Sequence, residues 1–181
     1  MFFDVDGTLV SHTSKSVPES ARLAINSLRE KGIKVILDIS SPKLKDLLAY
    51  RPILIKPNDD ELRDIFGITL NCEEDVKNAL IHLHGLGAQN ILLTLGSKGS
   101  FFFDGKMIFK CGSYPVKLVS SVCCGDSFLA AFLSEWIKDK SNIEVALKKA
   151  AATGANVAES AGIGNLDKVE EYAKHIEVKE I

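Results

Sequence analysis

Residues 31–38, Lys-Gly-Ile-Lys-Val-Ile-Leu-Asp, join the end of a predicted helix to the start of a predicted strand. The helix begins within residues 16–19, and its apolar residues repeat at helical spacing until the Lys-Gly pair ends it. The strand is an almost uninterrupted apolar run, as expected of a strand buried on both faces. A similar run at residues 2–5 precedes the helix. Together these segments predict a complete βαβ unit.

The alternation of short apolar runs and helical segments continues along the chain. Further strands are predicted at 53–55 and 91–95, and further helices at 44–50, 59–66, 73–86, 127–137, 143–161 and 166–175. Asp104-Gly105-Lys106 separates two more apolar runs and predicts a hairpin, because Asp-Gly readily supplies positive φ. We therefore predict a single α/β domain over residues 1–181, with a three-layer Rossmann-like, mostly parallel sheet, helices on both faces and an edge hairpin.

Composition limits the kinds of partner that the chain is expected to have. With 181 residues, of which 46% are hydrophobic and 25% charged, one globular domain is expected. The net charge of -2 and the dispersed cations give no electrostatic footprint for nucleic acid or an anionic membrane, so a small molecule is the expected partner. No apolar run reaches the ~18 residues that span a bilayer. The four cysteines lack a Cys-x-x-Cys spacing, which favours reduced thiols in a cytoplasmic protein.

Two aspartates end the first apolar run, in the sequence Phe2-Phe3-Asp4-Val5-Asp6-Gly7-Thr8-Leu9. This motif resembles the nucleophile motif of the haloacid dehalogenase superfamily, and the similarity continues through residue 37. The resemblance implies that Asp4 attacks phosphorus and that Asp6 is the acid/base. The phosphate-binding hydroxyl, the lysine and the later acidic pair of that chemistry do not occur in a recognisable context. A minimal phosphatase is therefore an alternative hypothesis.

Three further motifs follow in order from about residue 38. They are Ile-Lys-Pro-Asn-Asp-Asp-Glu-Leu at 55–62, Thr-Leu-Gly-Ser-Lys-Gly-Ser at 94–100 and Ser-Val-Cys-Cys-Gly-Asp-Ser at 121–127. These motifs resemble those of the ribokinase-like carbohydrate kinases, in particular the 1-phosphofructokinase and tagatose-6-phosphate kinase branch, over roughly residues 33–165. The resemblance implies a phosphotransferase that uses ATP and magnesium, with a sugar phosphate as the second small molecule.

The third motif lies in the turn before a predicted helix, where backbone N–H groups and the helix dipole favour an anion. The resemblance implies that Cys124 and Gly125 form an anion hole for the transferred phosphoryl group, and that Asp126 is the base. An aspartate that only stabilises the helix dipole is the alternative. The family pattern is Gly-Ala-Gly-Asp, whereas this chain has Cys123 in place of the first glycine. Because a side chain disfavours positive φ, we expect a distorted anion hole.

The resemblance assigns nucleotide-binding residues around the second motif and in a later helix. Thr94, Gly96 and Gly99 follow a buried strand in a glycine-rich turn, and they are implied to face ATP. Asn156 is implied to contact the adenine region. An ordinary exposed helix residue is the alternative for Asn156.

Asn58 and Glu61, in the first motif, are implied to organise magnesium and phosphate, with magnesium keeping water ligands. The same Asn-x-x-Glu spacing is typical of a capping box at a helix start. The two roles are compatible.

The two resemblances divide the chain into residues 1–37 and 38–181. In the kinases, the sugar-binding glycines and a small lid lie in an amino-terminal portion, whereas this sequence has a haloacid-dehalogenase-like βα unit there. We therefore expect a chimera or gene fusion. It is either a sugar-phosphate kinase fragment with little or no turnover, or a structural chimera without activity. A sheet truncated in this way would expose surface, which favours a homodimer.

Overall fold

The computed structural model describes residues 19–162 and 164–181. Asp4, Asp6 and the predicted strand at 2–5 lie outside the described residues. The chain divides into two compact units, of which the first extends to Leu93 and includes Phe102–Lys106, and the second contains Thr94–Phe101 and Met107–Ile181. The prediction of one domain over residues 1–181 stays a prediction.

The first unit contains alternating helices and short parallel strands. Its elements are α1 (Glu19–Glu30), β1 (Ile36–Leu37), α2 (Leu44–Leu48), β2 (Leu54–Ile55), α3 (Asp59–Glu61) with a π-helical turn (Leu62–Phe66), α4 (Glu73–Gly85) and most of β3 (Ile91–Thr94). The strand β1 pairs with β2 in parallel, and β2 pairs with β3 in parallel. The helices and strands predicted between residues 19 and 95 all form, and their strands are buried as the apolar runs predicted.

The second unit contains the three carboxy-terminal helices and the remaining strands. Its elements are the 3₁₀ turn Gly96–Lys98, β4 (Ser100–Phe103, shared with the first unit), β5 (Ile108–Cys111), α5 (Cys124–Trp136), α6 (Ile143–Ala158), α7 (Val169–Lys174) and β6 (Val178–Glu180). The helix α6 packs against both α5 and α7. Ala146, Leu147 and Ala150 on α6 are fully buried, because small and branched apolar residues allow close helix contact.

The hairpin of β4 and β5 forms as predicted, but its expected position at the edge is wrong. The strand β6 pairs antiparallel with β5, with Cys111 opposite Val178 and Phe109 opposite Glu180. Lys179 and Glu180 leave β6 without an apolar run, which is why the sequence pattern did not predict this strand.

The strands follow the order β1-β2-β3-β4-β5-β6 in a mixed sheet, which confirms the α/β class. The parallel pairs are connected through helices, as parallel strands require a long crossover connection. The part of the chain that the structure describes has no helix of the length and hydrophobicity needed to cross a membrane.

Candidate functional site

The turn that starts α5 has an unusual backbone conformation. Cys123, the residue before the helix, has φ +61° and ψ +4°, in the left-handed region that favours glycine. The chain therefore keeps a glycine-like turn although a side chain is present, at a cost of about 1 kcal/mol. Gly125 and Asp126 follow in the first helical turn, and both are exposed.

Two backbone N–H groups at the start of α5 are open to a ligand. The N–H of Cys124 donates to the Ser121 carbonyl at 3.3 Å, and that of Ser127 donates to the Cys123 carbonyl at 2.9 Å. Within the described residues no carbonyl accepts from the N–H of Gly125 or Asp126. A left-handed residue followed by helical residues turns successive N–H groups into a concave surface that suits an anion. The open amides are thus those of Gly125 and Asp126, whereas the amide of Cys124 is already engaged.

The segment that leads into this turn is fixed to the end of α6. The N–H groups of Val119 and Ser120 donate to the Ala158 carbonyl at 2.8 and 3.1 Å. The Cys124 thiol donates to the Ser120 carbonyl at 3.5 Å. Burial, and secondarily the neighbouring Cys123, raise the pKa of the Cys124 thiol, so this thiol is protonated at neutral pH. The turn is therefore held by backbone and thiol contacts that leave the Asp126 side chain accessible.

The glycine-rich turn after β3 contains two glycines with different environments. Gly96 is exposed and has φ +57°, and a Cβ there would meet no atom within 4 Å. Gly99 is buried and has φ +94°, and a Cβ there would lie 2.2 Å from the Cys111 carbonyl oxygen. Packing against β5 thus explains Gly99 without a nucleotide. Gly96 and the half-buried Thr94 remain the accessible part of this turn.

Asn156 is only 2% exposed, so the alternative of an ordinary exposed helix residue is wrong. Its Nδ2 donates to Glu159 Oε1 at 3.3 Å, while its Oδ1 has no hydrogen-bond partner among the described residues. The Tyr172 hydroxyl, followed by the Lys168 ammonium, lowers the pKa of Glu159, which accepts from both groups. An unpaired buried acceptor costs about 1–3 kcal/mol, and this oxygen is closed to solvent, so the role of Asn156 at the adenine stays a prediction.

In the first unit, Asn58 and Glu61 form the capping box that their spacing predicts. Glu61 N–H donates to Asn58 Oδ1 at 2.8 Å, and Asn58 N–H donates to Glu61 Oε2 at 2.9 Å. The Ser40 hydroxyl donates to the other oxygen of the same carboxylate, Oε1. Glu61 is buried, at 9% exposed.

Lys56 and Asp38 form a second contact close to the capping box, which the sequence analysis did not assign. Lys56 Nζ lies 3.0 Å from Asp38 Oδ1, and the lysine side chain is only 7% exposed. Both residues follow parallel strands, β2 and β1, and ligands in α/β sheets bind at the carboxyl ends of such strands. A charged residue directly after a buried apolar run is the signal that would have found them.

No group of three His, Cys, Asp or Glu side chains that could hold a metal ion occurs in residues 19–162 and 164–181. The assignment of magnesium to Asn58 and Glu61 therefore stays a prediction. Any magnesium there would keep several water ligands, in agreement with its reluctance to lose them.

Residues 1–169 match the family model described as "pfkB family carbohydrate kinase". This chain belongs to the pfkB family of carbohydrate kinases. The match includes the amino-terminal segment that resembles the haloacid dehalogenases. A fusion of two families is not shown, and the chimera stays a hypothesis.

Several curated relatives of this pfkB-family chain are named as sugar-phosphate kinases. The chain is 46% identical to a D-tagatose-1-phosphate kinase of Klebsiella oxytoca, over 87% of this chain and 51% of the relative. It is 33% identical to a D-tagatose-1-phosphate kinase of Bacillus licheniformis (98% and 57%), and 30% identical to a 1-phosphofructokinase of Borreliella burgdorferi (93% and 56%). The chain thus spans about half the length of these relatives.

Solved structures of the same fold cover a similar share of this pfkB-family chain. Ribokinase from Arabidopsis thaliana, complexed with ribose and ATP, matches with a TM-score of 0.74 and 28% identity, over 87% of this chain and 53% of that chain. Phosphofructokinase-2 from Escherichia coli, in complex with substrates and products, matches with a TM-score of 0.77 and 25% identity, over 88% and 54%.

Proposed function

We propose that this chain is the phosphoryl-transfer part of an ATP-dependent sugar-phosphate kinase, which transfers phosphate to an alcohol group. The observation that carries the proposal is the start of α5, where the exposed Asp126 carboxylate adjoins the open amides of Gly125 and Asp126. Membership of the pfkB family and the names of the relatives support the same reaction class.

Each group at the start of α5 has a role in this reaction. The exposed Asp126 carboxylate accepts the proton of the acceptor hydroxyl as general base. The amides of Gly125 and Asp126, together with the positive end of the helix dipole, stabilise the charge on the transferred phosphoryl group. Phosphoryl transfer depends mainly on such positioning and charge stabilisation, so few residues are needed.

The second unit also has groups that fit ATP. The turn around Gly96 is exposed and has room for a phosphate or a ribose close to the backbone. The unpaired Oδ1 of Asn156 can accept from a donor such as the exocyclic amine of adenine once the side chains that cover it move aside. We assign ATP to these residues.

In the first unit we assign magnesium to Asn58 and Glu61. Each oxygen of the Glu61 carboxylate accepts one hydrogen bond and has a second acceptor position left for magnesium or its water. Bound magnesium would neutralise charge on the nucleotide phosphates. The protein's part is to hold the carboxylate in place through the capping box and Ser40.

The experiment is calorimetric titration of the chain with ATP and magnesium, combined with a single-turnover transfer assay. D-Tagatose 1-phosphate, fructose 1-phosphate and tagatose 6-phosphate serve as acceptors. Asp126→Asn should bind ATP as tightly as the parent or more tightly, because a negative charge near the phosphates is removed. It should lower the transfer rate by about 10²–10⁴. Asp167→Asn, an exposed aspartate elsewhere in the unit, is the matched control.

Two results would contradict the proposal. Absence of saturable ATP binding in the folded parent would exclude a nucleotide site and favour the structural chimera. An unchanged transfer rate in Asp126→Asn would exclude Asp126 as the base. The chain spans about half the length of its relatives, and we expect slow turnover from this portion by itself. A steady-state rate near an ordinary kcat of about 10 s⁻¹ would make that expectation wrong.

The phosphatase hypothesis rests on the motif that contains Asp4 and Asp6, which lie outside the described residues. Magnesium-dependent hydrolysis of a generic phosphate ester that is lost in Asp4→Asn would support it, and unchanged hydrolysis would exclude Asp4 as the nucleophile. The cytoplasmic location and the homodimer remain predictions. Size-exclusion chromatography with light scattering tests the dimer.

A further inference from the structure

Two side-chain contacts in the first unit join the segment after β1 to the segment after β2. Lys56 pairs with Asp38, and the Ser40 hydroxyl donates to Glu61 Oε1. The backbone adds a third contact, in which Lys56 N–H donates to the Leu37 carbonyl at 3.1 Å. The two segments are therefore held together at several points.

The Lys56–Asp38 pair lies close to Ser40 along the chain. The lysine side chain is 7% exposed and Asp38 is 26% exposed, so the ammonium depends on its carboxylate partner. Ser40 is only two residues from Asp38 along the chain. The ion pair and the backbone contact thus hold the segment that contains Ser40 next to the segment that leads to Glu61.

The contact from Ser40 is not needed for the helix cap. A capping glutamate uses one oxygen to accept from the N-cap N–H, and Glu61 Oε2 already does so with Asn58. The hydrogen bond to Oε1 comes from a residue 21 positions away. With both oxygens held, rotation of the carboxylate about its terminal bond is restricted, and its remaining acceptor positions point in fixed directions.

We propose that Ser40 is a positioning residue that orients the Glu61 carboxylate for magnesium or magnesium-bound water. This inference rests on the proposed function of Asn58 and Glu61. It assigns to Ser40 a role in the magnesium dependence of nucleotide binding. Hydrogen-bond partners of metal-organising carboxylates commonly change metal affinity by 10–100-fold when they are removed.

The test measures ATP affinity by calorimetry at increasing magnesium concentrations, and the readout is the magnesium concentration that gives the half-maximal gain in affinity. Ser40→Ala should raise this concentration about tenfold. Ser40→Thr keeps the hydroxyl and should stay close to the parent. Ser41→Ala is the matched control, because Ser41 Oγ accepts from Lys43 N–H, and no hydrogen bond joins Ser41 to Glu61 within the described residues. Thermal unfolding of each variant establishes that it is folded.

The outcomes separate this inference from the proposed function. If the parent shows magnesium-dependent ATP binding and Ser40→Ala keeps the same magnesium requirement, the role of Ser40 is overturned while the proposed function stands. If the parent binds no ATP, both are overturned. An equal shift in Ser41→Ala would also overturn the inference, because the effect would then belong to the loop. Should Ser40→Ala not fold, Ser40→Cys provides a second variant with a weak donor, and the same criteria apply.

Discussion

Alanine substitutions at Gly96 and Gly99 should have very different effects on stability. At Gly99 a Cβ would lie 2.2 Å from the Cys111 carbonyl oxygen, whereas real Cβ contacts below 3.0 Å are essentially absent, so the backbone must move by roughly 1 Å. The backbone conformation, φ +94° and ψ -150°, adds about 1–3 kcal/mol for any residue other than glycine. We expect Gly99→Ala to lower the free energy of unfolding by about 3–5 kcal/mol.

At Gly96 only the left-handed φ of +57° opposes alanine, because no atom lies within 4 Å of the position that a Cβ would take. That strain of about 1 kcal/mol is partly offset by the lower entropy of the unfolded chain, which leaves a net loss of about 0.5 kcal/mol. Urea denaturation followed by circular dichroism measures both variants. A loss in Gly99→Ala no larger than that in Gly96→Ala would refute the steric reasoning. Because Gly96→Ala should change stability only slightly, a loss of ATP binding in this variant would indicate a contact between this turn and the nucleotide.

Three further changes have directions set by the structure. Asp38→Asn should lower the free energy of unfolding by about 3 kcal/mol, because it leaves the buried Lys56 ammonium without its charged partner. Lys56→Met, measured in the same urea series, should lower the free energy of unfolding by less. Cys123→Gly should raise the free energy of unfolding by about 0.5 kcal/mol, because the relief of left-handed strain exceeds the entropic cost of glycine. A loss of stability in this variant would contradict the strain at Cys123. Burial raises the pKa of the Cys111 thiol from 9.0 to about 12. As the pH rises, the thiol therefore loses its proton in the unfolded chain before it does so in the folded chain, which favours unfolding. The urea midpoint of the parent should fall between pH 9 and pH 12, and that of Cys111→Ala should fall less.

The helices and strands were predictable because each gives a periodic signal along the chain. The strand at 91–95 and the helix at 73–86 are examples, since burial alone determines their apolar patterns. The strand β6 was not predictable, because its pairing with β5 depends on partners distant in sequence. The position of Lys56 and of Asp38 after a buried apolar run was visible in the sequence, but their pairing was not, because 18 residues separate them along the chain.

The candidate site was predictable in its motifs but not in the state of each residue. Glycine's permissiveness suggested that Cys123 would distort the turn, yet the chain adopts the positive φ with the cysteine in place. The helical pattern around Asn156 allowed either an exposed or a buried side chain, and only packing against the neighbouring helices places it inside. Likewise, the sequence does not show which backbone N–H groups are paired. In the structure the Cys124 N–H donates to a carbonyl, whereas the N–H groups of Gly125 and Asp126 have no carbonyl partner among the described residues.

The motif residues differ in whether the fold itself accounts for them, and this difference ranks them as functional candidates. Packing against Cys111 accounts for Gly99, and the capping box accounts for Asn58 and for one oxygen of Glu61. Such residues would be favoured at these positions in a protein without any ligand. Asp126 is exposed, and the Oδ1 of Asn156 is buried without a partner among the described residues, so the fold accounts for neither the Asp126 carboxylate nor this oxygen. A buried unpaired acceptor even costs stability, which a bound hydrogen-bond donor would recover. Asp126 is therefore the residue at which substitution should separate ligand binding from folding, whereas Asn156 is buried and bonded to Glu159, so its substitution should affect both.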